Sequence, residues 1–214
     1  MSESNRIYLH PLPVRIWHWI HATGIVLLVL TGIQLHFPGI ISLFGSFQTA
    51  VAVHNFFGFL VLADYFLWLG FYLVTGKLRT LYVPPKTDIT KGLPQQAAFY
   101  LYKYFKGELP PFEPSPDEKF NSLQKCAYFY IMFFLVPLQI VTGVLLYNIR
   151  VFKPVMDIFG GVQVIDALHL ITAYIFISFV AVHMYLCTLG HTFWAHFKAM
   201  ILGYEEVHHP GGQG

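Results

Sequence analysis

Five histidines fall inside long apolar stretches of this 214-residue chain: His18, His21, His54, His169 and His183. An ionisable side chain at membrane depth is costly to bury and marks function by default. His169 and His183 are the informative pair. Fourteen residues of helix rise ~21 Å and return to within ~40° of the starting direction. Both imidazoles therefore leave one face of one helix, at two depths. A neutral imidazole is a common metal ligand. Zinc would need three or four ligands clustered at one point, and these histidines are spread over two levels. A lone histidine in a span is often a packed polar residue or part of a proton path. Four histidines in depth-matched pairs, with no excess of Asp or Glu around them, favour the ligand reading.

The elements that must position them are four membrane spans. They run over about residues 16–35, 50–74, 126–147 and 165–189. Each has the ~20 apolar residues that cross a hydrocarbon core, and each must be helical, because no backbone polar group can go unpaired there. The first has no small-residue cleavage site and reads as a retained helix, not a signal peptide. Eleven of the thirteen Lys and Arg lie in the N-terminal tail, the connection after span two (about residues 76–123, with Lys125 at its end) and the C-terminal tail; only Arg150 and Lys153 lie in the other two loops. That bias places both termini and the long connection in the cytoplasm. His18 then lies near the inner surface, His54 and His169 near the outer one, and His183 near the inner one. The pairing follows: His54 with His169 outside, His18 with His183 inside. Imidazole is a regular axial ligand of haem iron, so two stacked haems across the bilayer are expected.

His21 competes with His18. The residue four past each proposed ligand is small (Ala22, Gly58, Ala173 and Cys187), which leaves room for a porphyrin, whereas Ile25 follows His21. His18 is therefore taken as the ligand, and His21 and Arg15 as candidates to contact a haem propionate or a quinone. Gly24, Gly32, Gly58, Gly70 and Gly143 are small enough to let helices or porphyrin approach closely. Asp64 sits deep in span two, where it is either protonated or caps a polar pocket. His10, His36, His191, His196, His208 and His209 read as solvated or interfacial, with His191 also within reach of a propionate.

Composition agrees with a membrane chain: 56% of residues are hydrophobic and 11% charged, against roughly 25% charged in soluble domains. Nothing marks a nucleic-acid binder. Cys126 and Cys187 lie in apolar stretches, so no disulfide framework is expected, and neither belongs to a C-x-x-C-H pattern. The long connection opens with a segment, YVPPKTD, that cannot be helical at its centre. PQQAAFYLYKYFKG follows, too short to span and rich in aromatics and lysine, and reads as a helix in the cytoplasmic interface. GELPPFEPSPDE is an irregular linker, and no strand pattern is seen. The chain reads as one all-α integral membrane domain, a four-helix bundle binding two haems.

The stretch HPLPVRIWHWIHATGIVLLVLTG (His10 to Gly32) resembles the R-x-x-H-W opening of the bacterial cytochrome b561 and nickel–iron hydrogenase cytochrome b superfamily. KFNSLQKCAYF, before and into span three, is similar to the K-Y-N-x-x-Q-K entry of formate dehydrogenase gamma subunits, with Leu123 where that family commonly has Gly. HMYLC and AMILGY resemble two later stretches of that family; the superfamily also includes the cytochrome b of thiosulfate reductase. The resemblance implies a bacterial inner-membrane subunit with two haem b and axial ligands at His18, His54, His169 and His183. It implies a quinone site (menaquinone or ubiquinone) at Asn121, Gln124 and His183. It also implies partners: an iron–sulfur or multihaem electron-transfer subunit and a catalytic subunit. The alternative is a stand-alone cytochrome b561 that oxidises superoxide without partners.

Overall fold

A computed structural model describes residues 6–112, 114, 115, 118–190 and 192–206. Four helices among them are long and apolar enough to cross a membrane. The first, α1, is Leu12–His36, and α2 is Phe47–Val74. Pro13 is tolerated in the first turn of α1 because its missing N–H would have no helical partner there. The Ser46 hydroxyl caps α2 by accepting from the Thr49 N–H at 3.0 Å, as a serine at a helix start does. His36 is the last residue of α1 and not a loop residue.

In the connection after α2, α3 is Leu78–Tyr82. Pro84 and Pro85 then break the helix, and a helical run resumes as a π-type turn (Asp88–Gly92), α4 (Leu93–Ala98), a second π-type turn (Phe99–Lys103) and a 3₁₀ turn (Tyr104–Lys106). The helix foreseen from Pro94 therefore starts earlier, at Asp88.

The third span is α5 (Ser122–Tyr130), a π-type turn (Ile131–Leu135) and α6 (Val136–Tyr147). The irregular turn has a cause in Pro137, which supplies no N–H and would clash with the carbonyl one turn back; a π turn absorbs the misfit. Between spans three and four, where the sequence showed only a loop, lies α7 (Ile149–Ile158), capped by the Asn148 side chain accepting from the Val151 N–H at 3.2 Å. The fourth span, α8, is Val162–Cys187, and α9 is Ala195–Leu202.

The absence of strands is corrected. Strand β1 (Arg6–Tyr8) pairs antiparallel with β2 (Tyr204–Glu206). Gly203, ahead of β2, has φ +90°, and a Cβ there would fall 2.8 Å from the His10 carbonyl oxygen. Only glycine fits this turn.

The chain forms two compact units. Among the described residues, one comprises those up to Arg15, those between Phe71 and Phe133 and those from Tyr185 onward. Its core is aromatic: Tyr72, Tyr82 and Phe99 are buried, and ring contacts run from Tyr72 through Tyr82 and Phe120 to Tyr128. Lys125 is buried there too, bound to Glu118 at 2.5 Å and Asp88 at 3.4 Å, and Ser122 donates to Asp88 at 2.9 Å. The other unit comprises Ile16–Gly70 and Phe134–Met184. It buries Val61, Asp64, Trp68, Thr31, Thr142 and Met156, while Phe56, Phe66, Leu67, Ile171 and many other apolar side chains stay exposed. In water such a surface would be an association hazard; in hydrocarbon it is the required solvent-facing side. At Gly24 a Cβ would fall 2.7 Å from Val61 Cγ2, so α1 and α2 approach closely at this point.

Candidate functional site

The second unit brings four of the five span histidines into two facing pairs. The His54 and His169 rings have centroids 6.3 Å apart at 69° to one another. The His18 and His183 rings have centroids 6.5 Å apart at 52°. A metal held between two imidazoles by bonds of about 2 Å each, with about 1.2 Å from each ring nitrogen to its centroid, sets the centroids ~6.4 Å apart. Both pairs have the spacing that one shared iron needs. A Cβ added at Gly58, four residues past His54, would meet nothing within 4 Å. The two facing imidazole pairs, and the open space at Gly58 beside His54, fit a haem group.

His21 faces another way. Its Nδ1 lies 2.9 Å from Asp64 Oδ2, its ring stacks on Trp17, and Asp64 is only 3% exposed. The deep carboxylate thus has a partner that the sequence did not reveal. Of the two open readings for Asp64, the structure shows a polar contact to His21.

Two threonines hold the first pair, and neither was singled out by its sequence. Thr31 Oγ1 lies 2.8 Å from His54 Nδ1, and Thr142 Oγ1 lies 2.9 Å from His169 Nδ1. Their only sequence signal is that each stands beside a glycine already marked for close approach, Gly32 or Gly143. At the other nitrogen of His169, the Gln139 amide Nε2 lies 3.1 Å from Nε2.

Asn121 and Gln124 lie in the first unit and form a reciprocal cap at the start of α5. The Gln124 N–H donates to Asn121 Oδ1 at 2.9 Å and the Asn121 N–H donates to Gln124 Oε1 at 3.0 Å. The Asn121 amide also reaches the Tyr100 hydroxyl at 3.4 Å, and burial raises that phenol's pKa. Arg15 Nη1 donates to the Ile201 carbonyl at the end of α9, and its Nε is buried without a partner.

His10 is not a solvated residue. Its Nδ1 is buried with no hydrogen-bond partner, and burial, with Lys119 nearby, lowers its pKa from 6.5 to about 4. His196 pairs with Glu205 at 3.3 Å. His191, His208 and His209 lie outside the described residues. Neither Cys126 nor Cys187 is in a disulfide.

Residues 9–203 match the family model described as prokaryotic cytochrome b561. The chain belongs to the prokaryotic cytochrome b561 family. It is 37% identical over 209 residues to a protein of Escherichia coli (strain K12) described as "Putative cytochrome YdhU", covering 96% of this chain and 77% of that one. It is 24% identical over 196 residues to "Putative protein-methionine-sulfoxide reductase subunit YedZ1" of Azospira oryzae (strain ATCC BAA-33 / DSM 13638 / PS), covering 87% of this chain and 93% of that one. A b561 cytochrome is a multi-pass membrane electron carrier, and family membership implies haem b. The four long apolar helices and the facing imidazoles are the parts of this chain that suit that cofactor.

Proposed function

We propose that this b561-family cytochrome is a di-haem b subunit that carries electrons across the bacterial inner membrane between a partner redox subunit and the quinone/quinol pool. The observation that supports this most is the occurrence of two imidazole pairs at 6.3 Å and 6.5 Å, built from α1, α2 and α8. His54 with His169 would hold one haem and His18 with His183 the other. When bound, haem supplies one-electron exchange. The protein's part is to fix the imidazoles, exclude water and set the surrounding polarity.

The eleven-to-two distribution of Lys and Arg supports an orientation with both termini in the cytoplasm and His54 and His169 on the outer side. The helical run from Asp88 exposes Leu101, Tyr102 and Phe105 beside Lys103 and Lys106, which suits a helix lying in the cytoplasmic interface.

His21, with Nδ1 tied to Asp64, keeps its other nitrogen for a propionate or a quinone oxygen, and the unpartnered Arg15 Nε–H is a further donor to a propionate. The quinone contacts proposed from the resemblance are Asn121, Gln124 and His183. Asn121 is taken up by its cap and Tyr100, so Gln124 Nε2 is the freer amide for a quinone carbonyl. The partner is read as an iron–sulfur or multihaem subunit joined to a catalytic one. The Azospira relative, itself named as a subunit of a reductase, supports working with a partner over acting alone.

The test is a reduced-minus-oxidised spectrum of the purified chain with haem counted per chain, followed by reduction with menaquinol and ubiquinol in liposomes. Two b haems are expected, with His54→Met or His169→Met each removing one and sparing the other. One haem or none would overturn the di-haem assignment. Reduction by superoxide but by neither quinol would favour the stand-alone reading.

A further inference from the structure

The hydrogen bonds of Thr31 and Thr142 have a direction that fixes the chemistry of the imidazoles they touch. Each hydroxyl donates its single proton to the carbonyl one turn back, Thr31 to Leu27 at 2.7 Å and Thr142 to Leu138 at 2.8 Å. With that proton committed, only lone pairs face the neighbouring helix. His54 Nδ1 and His169 Nδ1, 2.8 Å and 2.9 Å away, must then be the donors. Each ring is held as the tautomer that carries its proton on Nδ1 and its lone pair on Nε2; at His169 that lone pair accepts from the Gln139 amide at 3.1 Å, a contact that iron would replace. Thr31 is 0% exposed and Thr142 2%, so water does not compete for either bond.

The two arrangements repeat one local pattern. Thr31-Gly32 on α1 holds the histidine of α2, and Thr142-Gly143 on α6 holds the histidine of α8. In each the glycine lets the ring lie against backbone. A Cβ at Gly32 would come within 3.7 Å of His54 Cε1, and one at Gly143 within 3.2 Å of His169 Cε1.

We infer that Thr31 and Thr142 are positioning residues that select the iron-binding tautomer of both imidazoles and lower the reduction potential of the haem held between them. This rests on the di-haem reading. An imidazole that gives its distal N–H to an oxygen becomes a more basic ligand, and a more basic axial ligand favours the oxidised iron. Hydrogen bonding beyond the axial ligands is one of the levers a protein has over haem potential.

The test is a redox titration of the purified two-haem chain. The His54–His169 haem is identified as the component lost in His54→Met. Thr31→Val and Thr142→Val keep the side-chain shape and remove the acceptor. Each should raise the reduced-to-oxidised ratio of that haem at fixed ambient potential by three- to about tenfold, a tenfold change being 59 mV for a one-electron couple. The two shifts should add, because they act through different ligands, and Thr31→Ser and Thr142→Ser should restore the original potential. Unshifted potentials in both valine variants, with two haems still bound, would overturn the inference and leave the di-haem reading intact. Fewer than two haems in the unaltered chain would overturn that reading and the inference with it. If a valine variant loses the haem, retention in the matching serine variant supports the inference; loss in both makes the threonine a packing residue and overturns it.

Discussion

Gly143→Ala and Gly32→Ala are chemically the same change at equivalent places, and the structure separates them by half an ångström. A Cβ at Gly143 would lie 3.2 Å from His169 Cε1 and 3.8 Å from His169 Nδ1; one at Gly32 would lie 3.7 Å from His54 Cε1. Carbon atoms rest at about 3.5–4.0 Å, so the second contact is ordinary and the first is too short by a few tenths of an ångström. His169 cannot swing aside freely, because Thr142 holds its Nδ1 at 2.9 Å. The misfit must move α8 or break that bond. Overpacking of this kind costs about 1–3 kcal/mol, partly offset by the roughly 1 kcal/mol that alanine gains over glycine in a helix. Gly143→Ala is therefore expected to cost up to about 2 kcal/mol, and Gly32→Ala to be neutral or mildly stabilising. For a chain of this size 1 kcal/mol moves Tm by about 2–4 °C. Thermal unfolding in detergent, with haem counted per chain, reads both effects. Gly143→Ala should lower Tm and deplete the His54–His169 haem, with Gly32→Ala unchanged in both. Equal behaviour of the two variants would refute the reasoning.

Other expectations follow from single contacts. Asp64→Leu leaves His21 Nδ1 facing an apolar side chain and should destabilise by about 1–3 kcal/mol; Asp64→Asn keeps an acceptor and should cost less, both read as Tm. At Gly92 a Cβ would fall 2.1 Å from Ser122 Oγ and 2.6 Å from Ser122 Cβ, so Gly92→Ala should lift the Asp88–Gly92 turn off α5 and expose the connection to protease. Adding Ser122→Gly should restore protection, and a double variant as labile as the single one would contradict the contact. His10, with its pKa lowered from 6.5 to about 4, is neutral in the folded chain while the unfolded chain takes up a proton. Its contribution to stability is present above pH 6.5 and is lost as pH falls towards 4. His10→Phe should flatten that part of the Tm-against-pH curve, and an unchanged slope would count against the burial argument.

The spans were legible because hydrocarbon imposes a length and composition that no other solvent does, and α1, α2, α5–α6 and α8 lie within a few residues of the expected limits. The histidine pairs were legible because helix rise and rotation turn a sequence interval into a depth and a direction. The β1–β2 ladder was not: three residues at each end of the chain cannot show alternation, and the register depends on a turn at Gly203 that meets the His10 backbone. Helix α7 was hidden by its ten-residue length and internal Pro154. Asp64 could be marked as costly from the sequence, but its partner His21 stands on another helix 43 positions away, and no local pattern connects them. Asn121 and Gln124 carry a cap signature and a family resemblance at the same positions, so the residues alone could not separate the two roles.

Span three shows how far a ligand search by residue type can reach. It holds no histidine, and by ligand type alone it contributes nothing to the site. Yet α6 carries Gln139, Thr142 and Gly143, and all three meet the His169 ring: at Nε2, at Nδ1 and, through the space the glycine leaves, at Cε1. The orientation of that imidazole is decided by a helix that supplies no ligand. The same division holds for His54, which leaves α2 but gives its Nδ1–H to Thr31 on α1. In both cases the preceding span carries the Thr-Gly pair and the following span the ligand. On the proposed di-haem reading, a substitution in α6 would thus change how the His54–His169 pair holds iron without touching either histidine, and the role of span three has to be sought in hydrogen-bond direction, not in ligand count.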